Sequence, residues 1–308
     1  MASHGRVTCA GSVLLMGGEI RIGISGWRYP GWRGVFYPPK LPQRAELEFA
    51  ARQFNSIEIN GTHYSLQRCE SFARWAEETP KGFVFAVKGS RYITHMKKLR
   101  EIEDPLANFL AQGLLQLGKK LGPILWQFAP RFTFDFGKME AFFRLLPQTM
   151  GEAACMACAH DPRLGDRAWT TVERGCAKLP MRHCVEIRHE SFAVPEFVEL
   201  LRTYKIGLVV ADTVEWPLLM DVTADFVYCR LHGSEQLYAS GYSDVDLDVW
   251  AKRVRAWVGG GDSPDGRFAC GSGCEKVEGR DVFVYFDNDI KVRAPFDALQ
   301  LRKRVEDR

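Results

Sequence analysis

The sequence predicts an α/β protein folded as one closed (β/α)8 barrel, with extra segments after the fourth strand and before the eighth. Three observations carry this. Eight short apolar runs of strand character recur along the chain, at 20–26, 56–60, 83–88, 123–128, 184–189, 206–212, 226–233 and 282–289. Stretches of helical period lie between them, and strands alternating with helices make parallel βαβ units. No glycine-rich dinucleotide turn follows any strand, which argues against the doubly wound alternative.

Taken in order, "IRIGISG" opens the barrel, and "RAELEFAARQF" (44–54) returns the chain with apolar residues at helical spacing. "SIEIN" and "FVFAVK" follow as strands, with "ESFARWAEET" (70–79) as the helix between them. "PILWQF" is the fourth strand. The long connection at 129–182 holds "FGKMEAFFRLL" (136–146) and needs at least one further helix. "CVEIRH", "IGLVVAD", "FVYCRLHG" and "VFVYFDND" complete the set, with "PEFVELLRTY" (195–204) as the helix after the fifth. The Gly-rich, charged segment 258–280 reads as a mobile loop before the eighth strand.

A chain of 308 residues can bury one large barrel core, and 46% hydrophobic with 26% charged residues is ordinary globular composition. The net charge of +3 is near balance, so it neither indicates nor excludes nucleic acid. No run has the length of a membrane span. Nine cysteines, an odd number without small-scaffold spacing, suit a reducing, cytoplasmic setting. Residues 1–19 read as an unstructured extension with Met16 as a natural alternative start, and 20–308 as the single domain.

In a parallel barrel, binding and catalytic groups come from the C-terminal strand ends and the loops beyond them. Trp27 follows the first strand, Glu58 and Asn60 finish the second, and Lys88 closes the third. Gln127 lies at the end of the fourth, Glu186 and Arg188 end the fifth, and Asp212 the sixth. Arg230 and His232 end the seventh, Asp287 and Asp289 the eighth. Residues two apart share a face, so these pairs project together. Glu58, Glu186 and His232 are the catalytic candidates, and Trp27, Asn60, Lys88, Gln127, Arg188, Asp212 and Arg230 are candidates for holding a ligand. After the third strand, "SRYITHMKKLR" adds His95 within the strongest local basic cluster.

Histidines and carboxylates in this set could ligate a divalent metal, but Lys88, Arg188 and Arg230 arise from the same strand ends and repel one. No metal site and no cofactor are therefore expected. An anionic ligand, either a phosphorylated small molecule or nucleic acid, suits the mixture better, with acid–base or phosphoester chemistry by Glu58 or Glu186. Two alternatives stand beside this: a non-catalytic nucleic-acid binding module, and a sugar-processing enzyme using Glu58 and Glu186 as paired carboxylates. A ligand role for Glu186 further implies that Glu186→Gln changes stability little.

The motifs "GISGWRYPGWRGVFYP", "SIEINGTHYSLQ", "FVFAVKGSRYITH", "LGPILWQFAPRF", "VEIRHESF", "TADFVYCRLHG" and "VYFDND" resemble those of the YecE-like family, domain of unknown function 72, from about Ile22 to Leu301. The resemblance implies a TIM-type barrel related to the endonuclease IV and xylose isomerase group, and no established activity. Carried over by position, it supports the strand-end residues above other than Asp287 and Asp289, and adds Tyr242 and Asn288 as ligand-binding candidates. Two departures fall in the loop after the second strand. His63 stands where an aromatic, usually Phe, is expected, and Cys69 replaces a usual Pro.

Overall fold

The structure is a computed structural model that describes residues 17–233, 237–238, 240–271 and 276–307. Its strands are β1 (Ile20–Ser25), β2 (Ser56–Ile59), β3 (Val84–Lys88), β4 (Leu121–Gln127), β5 (His183–Glu186), β6 (Gly207–Asp212), β7 (Phe226–Leu231) and β8 (Asp281–Phe286). Each pairs in parallel with the next, and β8 returns to β1, so the barrel closes in sequence order. The sequence reading of β5 and β8 ran three residues too far. Arg188, Asp287 and Asp289 sit in the loops immediately after their strands.

The helical layer comprises α1 (Glu46–Gln53), α2 (Gly61–Tyr64), α3 (Cys69–Glu77), α4 (Glu103–Ala111), α5 (Phe136–Leu145), α6 (Met150–Ala157), α7 (Pro195–Thr203), α8 (Asp244–Val258) and α9 (Ala294–Glu306). Several starts are written in the sequence. Asp135 caps α5 by accepting from the Lys138 amide at 2.9 Å, and Thr149 caps α6 from the Glu152 amide at 3.2 Å. Ser243 and Asp246 form a reciprocal box on α8. Cys69 opens α3, a first-turn position that a proline also fits, so the departure there leaves the helix start intact. The extra helix expected within 129–182 is α6.

Side-chain alternation divides the strands into two cores. Ala86, Leu125, Cys184, Val209, Ala211, Tyr228 and Tyr285 fill the barrel interior. Their neighbours in sequence, such as Ile57, Val87, Trp126, Val185 and Val210, face the helices. Toward the C-terminal end the interior becomes polar: Glu58, Lys88, Gln127, Glu186 and Arg230 follow the inward parity of the apolar layer beneath them. The register brings neighbours together there, Ser25 beside Glu58 and Gln127 beside Glu186. Gly26 then turns the chain off β1 at φ 89°, a conformation other residues adopt only with strain.

Of the predicted N-terminal extension, residues 1–16 lie outside the described residues. The described part is engaged: the Glu19 amide donates to Asp281 Oδ1 at 2.8 Å. Within 258–280, the Ala269 and Cys270 amides donate to Asp221 at 2.8 and 3.1 Å, while 272–275 lie outside the described residues. All described cysteines are free thiols. Among the described residues no helix is long and apolar enough to cross a membrane.

Candidate functional site

Arg230 occupies the centre of the polar end of the barrel and has no exposed surface. Its Nη1 donates to Glu186 Oε2 at 2.6 Å, and Nη2 donates to Glu58 Oε1 at 3.0 Å and Asp287 Oδ2 at 2.8 Å. Glu58 accepts further bonds from Ser25 and, at 2.5 Å, from the Tyr228 hydroxyl. Arg188 closes the other side, its Nε 2.7 Å from Glu186 Oε1 and its guanidinium 3.7 Å above the Trp216 ring. Burial alone would raise the Glu186 carboxyl, but Arg230 and then Arg188 outweigh it and hold it well below the ordinary range. Burial would likewise raise Asp287, and Arg230 and His232 overcome it.

Above this layer opens a cavity of about 710 Å³. Trp27, Trp75 and Tyr29 form its aromatic wall, and Asn60, Lys88, Gln127, Arg188, Asp287 and Asp289 bring polar groups into it. Trp27 meets Trp75 edge-on at 5.3 Å, which fixes the wall. Lys88 is only 7% exposed. Among the described residues its amine has no carboxylate within ion-pair distance. Burial first, then the charge of Arg230, push it down to about 8, against the pull of Asp287, Glu58 and Glu186. Asp289 moves the other way: burial and the neighbouring Asp287 raise it to about 6. Two groups in one cavity thus titrate near neutrality.

The convergence expected of Glu58, Lys88, Glu186, Arg188, Arg230 and His232 is present, but their roles divide. Glu58, Glu186, Arg230 and His232 are wholly buried, so none presents a free face to a ligand. The sequence reading of Arg230 as a ligand-binding residue is corrected, because protein carboxylates occupy its donors. His232 is enclosed by the rings of Trp216 and Tyr238 at 5.4 Å each, with Nδ1 3.2 Å from Asp287. His95 lies behind the cavity-lining His63, edge-on to its ring at 5.3 Å and bonded to Thr94 at 2.8 Å. Burial and the cations Arg188 and Lys88 hold His95 below its ordinary range.

Asp212, Tyr242 and Asn288 are corrected more sharply. Their side chains lie behind the barrel wall, away from the cavity. Asp212 Oδ2 accepts from Trp250 Nε1 of α8 at 3.1 Å and also binds Tyr242. Asn288 Nδ2 donates to Asp297 Oδ2 of α9 at 2.8 Å, and the Tyr242 amide donates to the same oxygen at 3.2 Å. Parity explains this: Ala211 and Asp287 point inward, so Asp212 and Asn288 point outward. Ser25 and Tyr228 are members of the floor of the site that sequence reasoning missed. Ser25 and Tyr228 carried an available signal, being two residues from Gly23 and Arg230 on inward-facing registers.

His63, the departure after β2, is buried and bonded through Nδ1 to the Gly89 carbonyl at 2.8 Å. Burial and Lys88 depress it to about 3, so it serves as a neutral ring in an aromatic's place. Trp32 and Phe36 pack on each other and on Tyr37 beneath the first loop, as a rigid lid would. Among the described residues no three of His, Cys, Asp and Glu gather around a common metal position.

Comparison with known proteins agrees with this architecture. Residues 21–308 match the family described as "Protein of unknown function DUF72". The chain is 33% identical over 131 residues to the UPF0759 protein YecE of Escherichia coli (strain K12), covering 38% of this chain and 46% of that protein. It is 29% identical over 144 residues to the UPF0759 protein YunF of Bacillus subtilis (strain 168), covering 44% and 49% respectively. The matched stretch therefore spans about half the length of these curated relatives. A crystal structure of a DUF72 family protein from Thermotoga maritima superposes with a TM-score of 0.69 at 24% identity, over 94% of this chain and all of that one. One from Enterococcus faecalis gives 0.63 at 16% identity, over 94% and 98%. At these identities the superpositions speak to the fold, and the extent of the family match makes this chain a member of the DUF72 family.

Proposed function

We propose that this chain binds a small anionic molecule, bearing a carboxylate or phosphate, in the cavity over Lys88 and Arg188. The observation that carries the reading is Lys88: a nearly buried amine facing a cavity, without a carboxylate partner among the described residues. A bound anion would supply the missing counter-charge in a site where water screens it poorly. Asn60, Gln127 and the Arg188 edge offer donors beside it. Proton exchange with such a ligand falls to Lys88 and Asp289, since Glu58 and Glu186 are committed to Arg230. That commitment also disfavours a sugar-processing role for the two glutamates.

A second reading has its own observation. Tyr64 is 64% exposed at the rim, the Arg91 guanidinium lies 5.4 Å from its ring centre, and Tyr92 and Met96 are exposed nearby. Bases of a single strand stack on such platforms. Titration of inorganic phosphate and of a short oligothymidylate separates the two. Loss of phosphate binding in Lys88→Met, with Arg91→Glu unaffected, supports the cavity. Binding confined to the oligonucleotide, steeply salt-dependent and lost in Arg91→Glu, supports the rim instead.

A further inference from the structure

We propose that Lys88 is a nucleophile that forms an imine with a carbonyl compound carrying an anionic group. This deepens the reading of the cavity above and rests on it for the anionic half of the ligand. The geometry supplies what imine formation needs. The amine projects from the end of β3 into the cavity, and its backbone is held by the Thr62 hydroxyl, which donates to the Lys88 carbonyl at 2.6 Å. The next amide, Gly89, donates to the Leu125 carbonyl at 2.7 Å, which ties the strand end to β4. Trp27, Ile59 and Trp75 line the adjoining wall and limit the water that would hydrolyse an imine.

Ion-paired lysines are held as ammonium ions and attack nothing. Lys88 differs because its neighbours are spoken for: Glu58, Glu186 and Asp287 all bond Arg230. A neutral fraction of amine near neutral pH is the consequence of that arrangement, and desolvated lysines of this kind are the ones that make Schiff bases. In the step, the amine nitrogen attacks the carbonyl carbon and a C–N bond forms. The carbonyl C–O bond then breaks, and its oxygen leaves as water with the two protons of the amine. Nothing is oxidised or reduced. Asp289, in the same cavity, is placed to deliver and recover the proton during loss of water.

The test uses the full chain with glyoxylate, an aldehyde bearing a carboxylate, and sodium cyanoborohydride, which reduces an imine to a stable amine. Peptide mapping by mass spectrometry then locates the adduct. We expect Lys88 to be modified at least tenfold faster than the exposed Lys81 and Lys119 at neutral pH, and inorganic phosphate to protect it. The rate at Lys88 should rise with pH and level off above about 8, a value set by its burial and by the charges of Arg230, Asp287, Glu58 and Glu186 around it. Lys88→Arg, checked by melting, should leave only the surface rate. Equal rates at Lys88 and the surface lysines of the unmodified protein overturn the proposal, whatever the variant does. Should Lys88→Met lose phosphate binding while glyoxylate leaves no adduct at Lys88, the imine falls and the anion pocket stands. Should uncharged glycolaldehyde label Lys88 as fast as glyoxylate, the imine stands and the anion reading falls.

Discussion

Arg230 Nη1 lies 2.6 Å from Glu186 Oε2, and neither side chain has any exposed surface. A pair so placed is worth little compared with a well-packed apolar pair, yet breaking it by removing one member strands a buried charge. Glu186 also holds Arg188, and Arg230 also holds Glu58 and Asp287. The layer is a strut beneath the cavity floor. This reverses the expectation, drawn from the sequence, that Glu186→Gln would leave stability nearly unchanged.

Glu186→Gln is therefore expected to cost about 3–5 kcal/mol in denaturant unfolding. Its pH dependence is fixed in sign. Glu186 and Asp287 have folded values below their unfolded ones, so their contribution is present above the unfolded value of about 4 and is lost as pH falls through the folded values. The wild-type chain should lose stability steeply in acid, and the variant less steeply. A variant as stable as wild type at pH 7 would remove the strut.

Lys88→Met should act in the opposite direction. Below about pH 8 the folded chain holds a charged amine where water solvates it poorly, and the unfolded chain does not. Wild-type stability accordingly rises between about 8 and the ordinary lysine value of about 10, where the unfolded chain binds more protons. The variant should be about 1–3 kcal/mol more stable at pH 7, with the gap closing toward pH 10. Unfolding curves at both pH values check this, and a destabilised variant at pH 7 contradicts it.

Asp289 predicts how an anion binds with pH. It is neutral below about 6 and charged above, so it repels an anion in the cavity only above that value. Inorganic phosphate should bind several-fold more weakly at pH 7.5 than at pH 5.5, after correction for its own ionisation, on the order of 1 kcal/mol. In Asp289→Asn that loss should disappear. An unchanged pH profile in the variant would show that Asp289 does not face the bound anion.

Tyr242→Phe tests the reassignment of the outward cluster. The hydroxyl accepts from the Gly233 amide at 3.1 Å and bonds Asp212, behind the barrel wall. Removing it should cost about 1–2 kcal/mol and leave phosphate affinity as it was. Lost affinity at full stability would return Tyr242 to the site.

Sequence alone determined the barrel and much of the cavity. Eight apolar runs separated by helical stretches admit few parallel topologies, and the two-residue period of a strand places Glu58, Lys88, Gln127, Glu186 and Arg230 on one interior face. Tertiary structure decided what each of them is for. Whether a charge is locked or available depends on what stands opposite it. Arg230 takes its partners from β2, β5 and the loop after β8, at separations of 172, 44 and 57 residues that no local pattern records. The same holds for Asp212 and Asn288, whose outward parity follows from where the inward register falls and whose partners, Trp250 and Asp297, come from α8 and α9. Lys88 read as one more cation among several. It became the group facing the cavity without a carboxylate partner because closure of the barrel gave Glu58, Glu186 and Asp287 to Arg230 and left the amine nearly buried.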